Sequence, residues 1–323
     1  MSRAFVVREH GGPEALRLEE LEVPAPGPGQ LRIRNHAIGL NFIDVYQRTG
    51  LYATPLPFVA GNEGAGEVMA VGAGVTDFAP GDRVAYQGPV GAYADERLLP
   101  ADKAVPLTDG ISFETAAAAL LKGTTAFYLL HWTHELKAGE TVLIHAAAGG
   151  TGQILVQWAK AIGARVIATA GSEEKCELVR NLGADLVINY RSEDFVAAAR
   201  DFTGGGGVDV VYDGVGKATF EPSLDCLRLR GLMVSFGNAS GPVALPRLGI
   251  LADKGSLYVT RPTSGGYFRT PEDLRTAAAA LFEMIESGRI KVAIDQRRPL
   301  AEAVEAHRAL EARETTGSTV LVP

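Results

Sequence analysis

The stretch 141–162 constrains this chain more than any other. An apolar run, Thr141–Ala146, leads through Ala147-Ala-Gly-Gly-Thr-Gly (147–152) straight into a segment with Ile154, Leu155, Trp158, Ala159 and Ile162 on one helical side. The order strand, glycine turn, helix repeats without its glycines further on. Strands are expected at 165–170, 186–188, 208–212 and 232–236, and helices at 173–182, 193–200 and 219–227. Strands separated by helices cannot pair as hairpins. The pattern therefore predicts a parallel sheet with helices on both faces.

The glycine turn also carries chemistry. A backbone without Cβ lets a pyrophosphate approach the amide N–H groups at a helix N-terminus. Gly149 and Gly152 stand at the second and third glycine positions of the dinucleotide fingerprint, and Ala147 stands at the first. With 38 glycines in 323 residues, chance spacings occur. Gly204–Gly207 is one, because it follows a helix and leads into a strand. The 147–152 turn has the required order, so Gly149, Gly150, Thr151 and Gly152 are expected to hold a dinucleotide. The next strand ends at Ala170-Gly171-Ser172, with no acid to take a ribose 2′-hydroxyl. Ser172 can donate to a 2′-phosphate and Lys175 lies a helical turn on, which favours NADPH over NADH. Lys175 as a solvated helix lysine is the alternative reading. Glu173 and Glu174 suit the start of a helix.

On either side the texture differs. Before Ser112 there are short β-like runs, at 31–40, 64–71 and 82–86, broken by Gly and Pro. Ser112 reads as the N-cap of a helix behind it. After 264, helices are expected at 271–287 and 301–312 and a closing strand at 319–322, a segment placed to return to the first domain. The net charge of −7 argues against a nucleic-acid-coating or anionic-membrane protein. Two cysteines, Cys176 and Cys226, form no CxxC and read as buried thiols of a reducing compartment. Met1–Arg8 shows no signal-peptide pattern, and the longest apolar run, Ala116–Leu121, is far short of the roughly 20 residues that span a bilayer. A cytoplasmic protein without membrane insertion is expected.

Several segments together resemble a known family: Asn41-Phe-Ile-Asp-Val-Tyr (41–46), Gly61-Asn-Glu-Gly-Ala-Gly (61–66), Pro80-Gly-Asp-Arg-Val (80–84), Leu121-Lys-Gly-Thr-Thr-Ala (121–126) and 145–152. So do Ile188-Asn-Tyr-Arg (188–191), Val211-Tyr-Asp (211–213) and 231–238. They are similar to the medium-chain dehydrogenase/reductase superfamily and, more narrowly, to its zinc-free NADPH:quinone oxidoreductases related to zeta-crystallin. The resemblance covers essentially the whole chain. It implies an α/β protein: a GroES-like β-barrel catalytic domain over 1–122 and 264–323, and a Rossmann doubly wound parallel sheet domain over 123–263. It implies a homodimer and NADPH contacts at Asn41, Gly149, Gly150, Gly171, Ser172, Lys175, Tyr190, Phe236, Gly237, Asn238 and Arg313. It places Asn41, Tyr46 and Tyr52 at the catalytic pocket. Ala147 in place of the first glycine is common in such quinone reductases.

Zinc relatives carry a cysteine in the 41–46 region and Gly-His-Glu where this chain has Gly61-Asn62-Glu63. No soft ligand remains at either place. His131 and His134 have no third ligand nearby in sequence. Without a metal nothing lowers an alcohol pKa, whereas a quinone accepts hydride readily. The expected reaction is NADPH-dependent quinone reduction, the chain supplying proximity. Tyr46 and Tyr52 are expected to flank or hydrogen-bond the quinone oxygen, or else to pack the pocket wall. Asp44 reads as a helix-start cap before it reads as an acid, and His145 reads as structural. An enone or enoyl-thioester reductase is the near alternative, and a non-catalytic NADPH-binding protein the distant one.

Overall fold

The computed structural model describes residues 1–245 and 247–323. It divides into two compact units. One comprises Met1–Thr124, Thr270–Glu286 and Val292–Pro323, the other Thr125–Arg269 and Ser287–Lys291. The short return of 287–291 to the second unit has a local cause that the sequence pattern does not signal. The Gln157 amide donates to Lys291 O at 3.1 Å and accepts from Lys291 N at 2.8 Å.

The second unit is a six-stranded parallel sheet in the order Leu186–Asn189, Arg165–Ala170, Thr141–Ile144, Val208–Asp213, Leu227–Ser235, Tyr258–Thr260. The first strand of the unit is central and the chain winds outward to both edges, the doubly wound order. Thr141–Ile144 is buried along its whole length, which is why it reads as an unbroken apolar run. Helix Gly150–Ile162 buries Ile154, Leu155, Trp158 and Ala159, with Ile162 half-buried. It stops at Gly163, whose φ of 96° is left-handed and suits glycine. The switch point lies between Thr141–Ile144 and Val208–Asp213, paired in parallel with Tyr212 opposite Ile144.

The first unit is built mainly on antiparallel strands, with one parallel pair, Ile294–Pro299 and Ser318–Val322. Leu16–Leu21, Ser2–Val7 and Phe58–Val59 form one sheet. A larger sheet runs Ile294–Pro299, Ser318–Val322, Gln30–Gly39, Glu63–Val71, Arg83–Gln87, Ala104–Pro106, with Glu96–Pro100 also on Gln30–Gly39. Leu31, Ile33, Val68, Val84, Leu99 and Leu321 meet in its core. The closing strand pairs Val320 and Leu321 with Gly39 and Ile38. Ser112 Oγ accepts from Thr115 N at 3.1 Å and so starts helix Phe113–Tyr128. Among the described residues, no helix is long and apolar enough to cross a membrane.

Candidate active site

In the second unit the glycine turn is pinned to both neighbouring strands. His145 N donates to Tyr212 O at 3.1 Å and Ala147 N to Thr169 O at 3.0 Å. Ala146 takes a φ of 51°, so a non-glycine residue makes the left-handed step into the turn. Gly149 is the N-cap of the helix and brings no side-chain oxygen to its positive end. A Cβ on Gly152 would lie 2.7 Å from Ala147 Cα, so only glycine lets this helix pack so close to the turn. His145 is buried, with Thr169 Oγ1 2.9 Å from Nδ1 and Ser223 Oγ 2.8 Å from Nε2. Burial pushes its pKa down, so the ring is a neutral strut, the structural role.

Gly171, Ser172 and Tyr190 gather at the ends of the next two strands. A Cβ on Gly171 would lie 2.9 Å from Tyr190 Cζ, so the phenol covers this glycine. Ser172 is the N-cap of helix Glu173–Asn181, its Oγ accepting from Lys175 N at 3.3 Å. That bond uses a lone pair and leaves the hydroxyl proton to donate. Phe236, Gly237 and Asn238 follow strand Leu227–Ser235, and the N–H groups of Phe236 and Gly237 donate to Asp213 O at 2.8 and 3.3 Å. A Cβ on Gly237 would stand 2.7 Å from Gly214 Cα. The buried Asp213 carboxylate accepts from Val215 N at 2.7 Å, Gly216 N at 3.2 Å and Thr219 Oγ1 at 2.9 Å, and so shapes the loop against which Gly237 packs. Sequence reasoning had Asp213 only as part of a family signature. A strand-end Asp ahead of Gly214 and Gly216 is the signal that marks a loop organiser.

In the first unit, helix Phe42–Arg48 starts at Asn41. Asp44 Oδ2 accepts from Asn41 N at 2.9 Å, the cap geometry, and also from Tyr93 Oη at 3.1 Å, while Oδ1 accepts from Asn62 Nδ2 at 2.7 Å. Burial raises the Asp44 carboxyl to about 6, held back by these hydrogen bonds and pushed further by the Glu63 charge. Glu63, fully buried, accepts from Leu121 N at 2.6 Å, Asn41 Nδ2 at 2.8 Å and Lys122 Nζ at 3.2 Å. Tyr93 Oη lies 3.0 Å from His307 Nε2, and burial drives that imidazole down to about 3, with the Arg48 charge adding to the effect. The ring centroids of Tyr46 and Tyr52 are 5.1 Å apart, and Tyr52 N donates to Tyr46 O at 3.0 Å, so the helix and the turn behind it bring these two together. Arg313 belongs to this first unit, in a left-handed turn (φ 61°) just past helix Ala303–Glu311. Tyr93 and His307 were not found from sequence, and Lys122 entered only as part of a family signature.

The donor set around Asn41 does not fit zinc. Its ligands would be amides and two carboxylates that each already accept three N–H or O–H donors, with the Lys122 ammonium on one of them. Among the described residues no three His, Cys, Asp or Glu side chains stand together as a metal site, and neither His131 nor His134 belongs to one. Cys176 and Cys226 are buried and outside any disulfide.

Residues 27–109 match the family described as "Alcohol dehydrogenase GroES-like domain", and residues 150–283 the one described as "Zinc-binding dehydrogenase". The chain is 55% identical over 325 residues to a quinone oxidoreductase of Pseudomonas aeruginosa, covering 100% of both chains. The chain belongs to the quinone oxidoreductase family. It is thus an oxidoreductase of the medium-chain dehydrogenase/reductase superfamily, with the GroES-like and Rossmann folds the sequence implied. The crystal structure of the Escherichia coli quinone oxidoreductase complexed with NADPH superposes with a TM-score of 0.98 at 51% identity, covering 100% of both chains. A 2-haloacrylate reductase from a Burkholderia species is 46% identical, over 100% of this chain and 99% of that one.

Proposed function

We propose that this quinone oxidoreductase family member is an NADPH-dependent quinone reductase that works without zinc. The observation that carries the reading is the Lys122 ammonium on Glu63, 3.2 Å away, in a buried polar cluster that includes Asn41, Asp44 and Asn62. Such a set supplies no Lewis acid, so it suits a substrate that accepts hydride without one. The relative crystallised with NADPH supports the cofactor. NADPH supplies the hydride from C4 of its nicotinamide. Gly149, Gly150, Thr151 and Gly152 cradle the pyrophosphate. Gly171, Ser172, Lys175 and Tyr190 take the 2′-phosphate end, and Asn41, Phe236, Gly237, Asn238 and Arg313 complete the contacts. Tyr46 and Tyr52 wall the quinone and orient its oxygen, and the proton for the hydroquinone comes from water or a tyrosine hydroxyl. The catalytic domain is 1–122 and 264–323 and the nucleotide domain 123–263, with 264–269 and 287–291 packing in the unit of the nucleotide domain. The protein is cytoplasmic and a homodimer. The edge strand Tyr258–Thr260, with Tyr258 61% exposed, supports a second copy.

The test is NADPH oxidation with 1,4-benzoquinone, repeated with NADH and after EDTA. Quinone turnover that prefers NADPH and ignores EDTA is expected, and loss of activity on EDTA treatment rules the zinc-free reading out. A second reading, reduction of an electron-poor C=C bond, is favoured by the 46% identity to the 2-haloacrylate reductase. Turnover of a simple enone with none of benzoquinone selects it.

A further inference from the structure

We infer that Glu63, held by Lys122, is a positioning residue that makes Asn41 a hydrogen-bond acceptor only, so that Asn41 serves the cofactor and not the quinone oxygen. This rests on the reading of Asn41 as a site residue. The Asn41 amide has two N–H bonds, and both are committed within the first unit, to Glu63 Oε2 at 2.8 Å and Gly39 O at 3.3 Å. The Oδ1 end faces the Asp44 N–H as the other half of the capping box, and what it has left to offer a ligand is a lone pair, not a proton. A quinone oxygen also has only lone pairs, so the two do not bond. A ribose hydroxyl or the nicotinamide carboxamide has a proton to give, and these do.

Glu63 fixes this orientation because it accepts from every side. It is buried, takes the Leu121 and Asn41 N–H groups, and carries the charge that the buried Lys122 ammonium neutralises. Reversing the Asn41 amide would set two oxygens, one of them charged, against each other away from water. A side-chain close approach reinforces the arrangement. A Cβ on Gly39 would come 2.9 Å from the Glu63 carboxyl carbon, so the carboxylate is seated against the bare backbone beside Asn41. Glutamine at 63 cannot reproduce it. With its oxygen toward Leu121 N, its NH2 meets the Asn41 NH2, and the Asn41 amide reverses to present a donor.

The experiment titrates NADPH by its fluorescence into wild type, Glu63→Gln and Asn41→Ala, and measures KM for 1,4-benzoquinone at saturating NADPH. Glu63→Gln is expected to raise the NADPH Kd by about tenfold, in line with losing one neutral hydrogen bond and leaving its partner unsatisfied, while the quinone KM stays within about twofold. A raised quinone KM with unchanged NADPH Kd overturns it. So does an unchanged Glu63→Gln beside an Asn41→Ala that weakens NADPH. If Asn41→Ala moves neither constant, the reading of Asn41 as a site residue fails, and the inference with it. Should Glu63→Gln not fold, Glu63→Gln with Lys122→Met removes both buried charges and is held to the same two constants.

Discussion

His307 and Asp44 are joined through the Tyr93 hydroxyl, and their protonation responds to folding in opposite senses. Burial brings His307 down to about 3, so over the range from there to the ordinary histidine value the unfolded chain binds the extra proton. That contribution to stability is present above about 6.5 and is lost as the pH falls. Burial raises Asp44 to about 6, so from its ordinary value up to there the folded chain holds the extra proton. That group favours the folded state more as the pH falls. The histidine window is wider, and the buried His145 shifts in the same direction as His307. We expect the melting temperature to drop from pH 7 to pH 4.5, and to drop less in His307→Gln, in thermal scans at both values. An equal drop in the two proteins would remove His307 from the acid response. The network was illegible in sequence for a geometric reason: Tyr93 and His307 lie 214 positions apart, and no local pattern links them. Asn41, Tyr46 and Tyr52 come from the family resemblance, and one short helix and the turn after it carry all three.

Ser172 shows how one residue at an element boundary takes on two tasks. It caps helix Glu173–Asn181 through Lys175 N and stands where the proposed 2′-phosphate ends. Aspartate caps as well as serine does but brings a negative charge. Ser172→Asp should therefore leave the melting temperature nearly unchanged while lowering the NADPH-over-NADH ratio of kcat/KM by about tenfold, since an acid at this strand end serves a free 2′-hydroxyl. A cofactor ratio that stays put while the helix remains intact would take Ser172 out of phosphate recognition. Gly152→Ala tests the other end of the nucleotide half. Its methyl would press on Ala147, an overpacking that costs about 1–3 kcal/mol, read as a lower urea midpoint. The alternating elements from 141 to 235 were legible because strand and helix periods differ and glycine marks the joint. Strands Ser2–Val7 and Leu16–Leu21 were not. Val6 and Val7 are buried as neighbours and Leu18 is exposed, so neither strand shows clean alternation.

At the scale of the whole molecule, the chain leaves the first unit after Thr124 and comes back to it at Thr270 and again at Val292. The returning strand Ser318–Val322 is not an edge. It is parallel to Ile294–Pro299 on one side and antiparallel to Gln30–Gly39 on the other. It also buries Val320 and Leu321, and Ser318 Oγ donates to Ala118 O at 2.9 Å. Sequence reading placed this strand within two residues but had no means of assigning its neighbours, because pairing across nearly 300 positions leaves no periodic trace. Removing it exposes two strand edges and opens the core of the first unit. The sheet of the second unit draws on none of these residues. A chain ending at Gly317 should therefore lose its first unit and keep the second. Limited proteolysis followed by mass spectrometry should show peptides from 1–124 released early and those from 125–269 protected, whereas the full chain resists in both. Equal digestion of the two regions in the shortened chain would mean that the Rossmann sheet does not stand without a complete barrel.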